Sequence, residues 1–269
     1  MFFNLFSKNK NKKIGLVLGG GGARGFFHIG VLIALRELNV EIGEVSGASI
    51  GAIIGLVYSA NPNIDFDELM SDFYRSKIIQ LFEKNCIDKT LKNVESFLKK
   101  YVKQEKFSDL KIPFSFNATD LNTLDLIKFS SGNIFPAIMG SISMPGIAKP
   151  LKLKKMLLCD GGAICPVPFI NIKKYNNILI LDVSIILNKE NSINNPINLF
   201  DTLVGIPEKY ILERDVADGK KKGKKILRIQ YDGSVHTFDF RKSSIEKTIE
   251  IGYEYTMKNK NKILKLINS

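Results

Sequence analysis

Ser49 lies in Gly47-Ala48-Ser49-Ile50-Gly51, a G-x-S-x-G pattern between an apolar, strand-like run and an apolar, helix-like run. At the tip of a sharp strand-to-helix turn a serine hydroxyl is exposed at a sheet edge and can attack a carbonyl carbon, provided that small neighbours let the backbone bend. A serine that only caps the following helix reads the same way in isolation. Upstream, Gly20-Gly21-Gly22-Ala23-Arg24-Gly25 satisfies G-x-G-x-x-G directly after another strand-like run. Successive glycines allow positive φ and close approach, so their amides can converge on an anion, either a pyrophosphate or the oxyanion of a tetrahedral intermediate. With 21 glycines in 269 residues, each pattern arises by chance with a probability on the order of 0.1, and both together about once in a hundred such chains.

A serine nucleophile needs a base. The two histidines are His28, one turn into the helix after the glycine loop and read as a helix residue, and His236 in GSVHTFDF, which offers a Ser–Asp–His order. The other option is a carboxylate acting directly. Asp120, Asp160 and Asp182 each end a strand-like run, and each also suits a turn or cap. Asp160 is slightly favoured, because Gly161 and Gly162 let the chain turn away and leave its carboxylate at the edge.

The elements that must position these groups follow from periodicity. Lys13–Gly19 is a short, continuous apolar run, as in a parallel strand buried on both faces. A helix over Arg24–Leu38, a strand over Val40–Val45 and a helix over Ile50–Ser59 complete a right-handed crossover that brings the glycine loop and Ser49 to one sheet edge. Helical spacing over Asp65–Tyr74 and Thr90–Val102 predicts a helical insertion at about 62–106. Strands are predicted at Phe114–Asp120, Leu124–Phe129, Leu151–Cys159, Ile178–Val183 and Lys225–Tyr231, and a closing helix at Ser243–Met257 that Ser243 and Glu246 cap reciprocally. Asn188–Asn198 and Gly219–Lys225 read as loops.

Forty-five per cent of the residues are hydrophobic and mean hydropathy is near zero, which excludes disorder and fibrous repeats and predicts 14–269 as one domain. No apolar run approaches the ~20 residues of a membrane span, so a soluble or peripheral, cytoplasmic protein is expected. The net charge of +12 is concentrated: lysine clusters at 8–13, 220–225 and 258–265 hold 13 lysines and no acid, and the rest is near neutral. Such tufts fit a nucleic-acid backbone poorly, so no nucleic-acid partner is expected. The 1–13 tail, with Phe2, Phe3, Leu5 and Phe6 ahead of four lysines, is not built like a secretory signal and offers a peripheral contact at the inner membrane face. Cys86, Cys159 and Cys165 read as reduced thiols rather than as metal ligands.

GLVLGGGGARGFFHIGVL, SGASIG and CDGG, in this order, resemble the patatin-like phospholipase family, with its G-x-G-x-x-G, G-x-S-x-G and D-G-[AG] signatures. The likeness extends to NATDLNT and FSSGNIFPAIMGSISMPGI and covers roughly the first 185 residues. It implies a three-layer α/β/α sandwich with a mainly parallel central sheet, as in patatin and cytosolic phospholipase A2. It also implies a Ser49–Asp160 dyad, an oxyanion hole from the Gly20, Gly21 and Gly22 amides, and supporting roles for Arg24, Gly25, Gly47, Gly51, Gly161 and Gly162. A phospholipid or other fatty-acyl ester would be the substrate, with neither cofactor nor metal. The competing readings are a dinucleotide-binding oxidoreductase with Glu41 or Glu44 on the ribose, which leaves GASIG and CDGG unexplained, and a non-catalytic lipid-binding member.

Overall fold

The computed structural model describes residues 13–76, 78, 87–144, 148–184 and 196–269. The 1–12 part of the tail, Cys86 and residues 188–195 of the Asn-rich segment lie outside them. In chain order the elements are β1 (Ile14–Leu18), α1 (Phe27–Glu37), β2 (Ile42–Gly47), α2 (Ile50–Ala60), α3 (Phe66–Arg75), α4 (Ile87–Tyr101), β3 (Phe114–Asp120) and β4 (Asp125–Phe129). They continue with α5 (Ile134–Ser141), β5 (Leu151–Leu153), β6 (Met156–Asp160), β7 (Asn177–Asp182), α6 (Pro196–Lys221), β8 (Lys225–Gln230), α7 (Lys242–Lys258) and α8 (Lys260–Asn268).

The eight strands form one sheet in the order β5-β6-β3-β2-β1-β7-β8, with β4 also paired to β3. Parallel pairing joins β3, β2, β1, β7 and β8, while β4, β6 and β5 add on antiparallel. Every residue of β1 is buried, because helices cover both faces. Leu16, Leu18, Leu179 and Leu181 point into the larger core, with α1, α2 and α7. The alternate Val17, Ile178 and Ile180 point the other way, against Phe169, Ile172 and Leu212 of α6. This is the expected three-layer α/β/α arrangement. Among the described residues no helix is long and apolar enough to cross a membrane.

The departures from expectation are local. The run Leu151–Cys159 is a hairpin, β5 and β6, whose turn places Lys154 at φ 57°. The expected Gly219–Lys225 loop is shortened, because α6 runs on through Lys221 and β8 starts at Lys225. The closing helix starts at Lys242 with Arg241 in the cap position, so Ser243 is already inside it and is not its cap. The helix expected from Arg24 begins as a 3-10 turn over Gly22–Phe26. At α3 the local chemistry is orderly: Asp65 accepts from the amides of Asp67 and Glu68, at 2.9 and 3.1 Å, and so caps the helix.

Candidate active site

β2 ends at Gly47, and Ser49 turns the chain into α2 with φ 51° and ψ −123°. A non-glycine residue with positive φ is strained, by about 1–3 kcal/mol, and persists only where its surroundings dictate it. Here they do. A Cβ on Gly51 would lie 2.2 Å from the Leu18 carbonyl oxygen, and one on Gly47 would lie 2.3 Å from the Gly51 oxygen. The turn folds tightly over the end of β1 only because both positions lack a side chain. Since those contacts are backbone, Gly51→Ala is expected to destabilise the fold by at least ~2 kcal/mol; an unchanged urea midpoint would contradict this. Ser49 holds the cap position of α2, yet its side chain makes no cap bond.

Its hydroxyl instead donates to Asp160 Oδ2 at 2.6 Å. β3 sets this meeting: Gly47 of β2 pairs with Phe116 and Asp160 of β6 pairs with Ala118, so the turn and the carboxylate lie two residues apart along one strand. Asp160 is buried and held on all sides. Its amide donates to the Ser143 carbonyl at 2.9 Å, its carbonyl accepts from Thr119 Oγ1 at 3.2 Å, and its Oδ1 accepts from the Gly162 amide at 2.7 Å. Burial raises the carboxyl to about 6, against the hydrogen bonds from Ser49 and Gly162 that favour the charged form. Above that pH a carboxylate sits ready to accept the serine proton.

Asp120, Asp182 and His28 are engaged by other partners. Asp120 accepts from the amides of Asn122 and Leu157 and stabilises a turn. Asp182 binds the Arg228 guanidinium and the Ser184 hydroxyl. His236 is exposed on the loop after β8. His28 is fully buried, and its Nε2–H donates to the Gly19 carbonyl at 2.8 Å. Burial lowers its pKa to about 4, so its imidazole is neutral at neutral pH and braces the start of the glycine loop.

In that loop the Gly20 amide donates to the Pro166 carbonyl at 2.8 Å and the Ala23 amide to the Thr237 carbonyl at 2.8 Å. The Gly20 amide is therefore engaged by a carbonyl. Among the described residues no carbonyl accepts from the amides of Gly21 or Gly22. Gly22, at φ 57°, has Thr237 so close that a Cβ would lie 2.2 Å from its oxygen. Arg24 is buried and its Nε donates to the Gly21 carbonyl at 3.3 Å. The loop abuts the Ser49 turn: a Cβ on Gly20 would touch Ser49 Cβ at 3.3 Å, and Gly25 lies directly against Ile50. Gly161 approaches the Asn117 carbonyl just as closely, so the chain turns away at once after Asp160.

Ser49 and Gly22 open into a cavity of about 150 Å³ with almost wholly apolar walls, among them Ile53 and Val57 of α2, Phe73 of α3 and Phe97 of α4. Neither this cavity nor the roles of Pro166 and Thr237 is announced by residue type, because the latter contribute backbone carbonyls. The signal for the walls was present: α2 is nearly all apolar, and α3 and α4 each carry one apolar face. Glu41 and Glu44 do not suit a dinucleotide site. β2 does lie beside β1, but Glu41 precedes it and pairs with Lys13, and Glu44 accepts from the Lys174 amide, both away from the carboxyl edge where the glycine loop sits. Among the described residues no cluster of His, Cys, Asp and Glu could hold a metal ion. Cys159 and Cys165 are buried free thiols.

The family model for patatin-like phospholipase matches residues 16–171. An uncharacterized NTE family protein of Mycobacterium bovis is 32% identical over 180 residues, which cover 66% of this chain and 50% of the relative. Lysophospholipase NTE1 of Debaryomyces hansenii is 28% identical over 214 residues, 76% of this chain and 14% of that one. The chain thus spans half or less of the length of these relatives. VipD from Legionella pneumophila shares the fold, with a TM-score of 0.54 at 16% identity over 96% of this chain and 67% of its own. A family model that spans more than half of the chain and takes in the end of β1, both glycine motifs and the CDGG turn places the protein in the patatin-like phospholipase family.

Proposed function

We propose that the protein is a serine acyl-ester hydrolase acting on lipids, of the phospholipase A or lysophospholipase type. The observation that carries this reading is the Ser49–Asp160 hydrogen bond at the mouth of an apolar cavity. The family, and a relative named as a lysophospholipase, support the substrate class. In the reaction Ser49 Oγ attacks the ester carbonyl as Asp160 Oδ2 takes its proton, and the amides of Gly21 and Gly22 stabilise the oxyanion. Protonated Asp160 then delivers that proton to the departing alcohol as the carbon–oxygen bond breaks. Asp160 next takes a proton from water as the water attacks the acyl-enzyme, and returns that proton to Ser49 Oγ as the acyl–Oγ bond breaks and the fatty acid leaves. The acyl chain occupies the cavity alongside α2.

The test is release of fatty acid from lysophosphatidylcholine and from a two-chain phospholipid by the full chain, with binding but no turnover as the contradicting result. Acyl selectivity gives a sharper expectation. Ile53 lies one turn along α2 from Ser49, about 6 Å up the helix, and lines the cavity. Ile53→Phe should narrow it there and shift the kcat/KM ratio of hexadecanoyl to butanoyl esters at least ~10-fold towards the short ester. An unchanged ratio would place the chain elsewhere.

A further inference from the structure

Two hairpin turns stand out beyond the carboxyl edge of the sheet. β3 runs past the level of Gly47 to Asp120, and β6 returns antiparallel to it, with Leu158 opposite Asp120. The β5–β6 turn at Lys154 and Lys155 therefore projects further still, and the five residues from Asp160 back to Lys155 span about 16 Å of strand. The turns are tied together: the Leu121 amide donates to the Leu157 carbonyl at 2.8 Å, and Asn122 Nδ2 donates to the Lys155 carbonyl at 3.0 Å. The projection is a braced tip on the same edge as Ser49.

Its composition is unusual for a solvated turn. Leu121 and Leu124 are 37% and 72% exposed, and Leu124 holds φ 63°, a conformation that suits Gly or Asn far better than leucine. Its amide closes the turn by donating to the Asp120 carbonyl at 2.7 Å, while its side chain gains little burial. Beside them Lys152, Lys154 and Lys155 are exposed, and none pairs with a carboxylate among the described residues. Asp125 is the one exposed acid on these turns, and the chain from 126 to 159 contains no acid at all. The apolar side chains are flanked by lysines rather than by arginines in a shaped pocket, which suits a diffuse anionic surface more than a defined partner.

We propose that this two-hairpin tip docks the protein onto an anionic lipid bilayer, with Leu121 and Leu124 entering the headgroup boundary and Lys152, Lys154 and Lys155 meeting lipid phosphates. An interfacial segment sinks about 5–10 Å, so with a tip reaching about 16 Å past Asp160 docking turns the Ser49 edge towards the lipid and holds it about 6–11 Å from the surface. Docking is measurable without turnover and so stands apart from the proposed hydrolysis.

The experiment is co-sedimentation of the full chain with vesicles of phosphatidylcholine alone and with 30% phosphatidylglycerol, at low and high salt. The native protein should bind the anionic vesicles in a salt-sensitive way and bind the neutral ones weakly. The combined change Lys152→Glu, Lys154→Glu, Lys155→Glu and Leu124→Asn should lower the vesicle partition coefficient on the order of 100-fold while leaving hydrolysis of a soluble butanoyl ester unchanged. Leu124→Asn alone fits the backbone at φ 63°, so it keeps the test valid if the fourfold variant does not fold, and it should lower partitioning several-fold. Native-like binding by either folded variant, no preference for anionic vesicles, or loss of binding only when residues 1–13 are deleted would overturn the proposal. Absent ester turnover with vesicle binding intact would count against the hydrolase reading alone.

Discussion

Ser49→Ala is expected to lower ester hydrolysis by at least ~10³-fold, since the variant keeps the Gly21 and Gly22 amides and the cavity but has no atom to carry the acyl group. The protein should still fold. The hydroxyl is the only group removed, the turn is set by Gly47, Gly51 and the end of β1, and alanine meets the same strain at φ 51° that serine does. One side effect is specific: Asp160 loses the hydrogen bond that favours its charged form, leaving the Gly162 amide as its donor, so its pKa should rise above about 6. An ester assay with a thermal melt on the same sample checks both points. A folded variant within tenfold of native turnover would contradict the serine mechanism.

Asp160→Asn should lower kcat by roughly 10²–10⁴-fold, because an amide can accept the hydrogen bond from Ser49 but cannot take its proton. The native pH profile follows from the same group. Burial raises this carboxyl to about 6, so at pH 5 most molecules hold it neutral and by pH 7 most hold it charged. The base is the charged form. Activity should therefore rise with pH through a midpoint near 6, and residual activity of the Asn variant should lack that acid limb. A flat native profile between pH 5 and 8 would mean that Asp160 is not the titrating base. An acid limb retained by Asp160→Asn and lost in His236→Ala would move the base to the imidazole.

The central sheet was readable because strands buried on both faces must be continuously apolar, as GLVL and ILIL are, and because Gly-rich turns interrupt them at the carboxyl edge. The elements that escaped reading lacked such contrast. In Leu151–Cys159 the hairpin turn falls on Lys154 at φ 57°, with no Gly, Asn or Pro to announce it. α6 contains Pro207, and among its described inward positions only Leu212 and Val216 join the smaller core, so its apolar stripe is faint. α5 is short and carries Pro136 and Gly140 within Ile134–Ser141. At the site, Ser49 and the glycine loop could be found from spacing alone. Three aspartates could not be ranked firmly by residue type, because what distinguishes them is the partner each meets across the sheet: Leu157 and Asn122 for Asp120, Arg228 for Asp182, Ser49 for Asp160.

The most direct test of the account is the mass of the intact protein and of its peptides after incubation with a fluorophosphonate, which reacts with serines that have an activating base and an oxyanion hole beside them. A single covalent adduct is expected on the peptide containing Ser49, absent from Ser49→Ala and formed far more slowly in Asp160→Asn. A folded native protein that takes up no label, or one that is labelled at another residue while Ser49 stays unmodified, would contradict it.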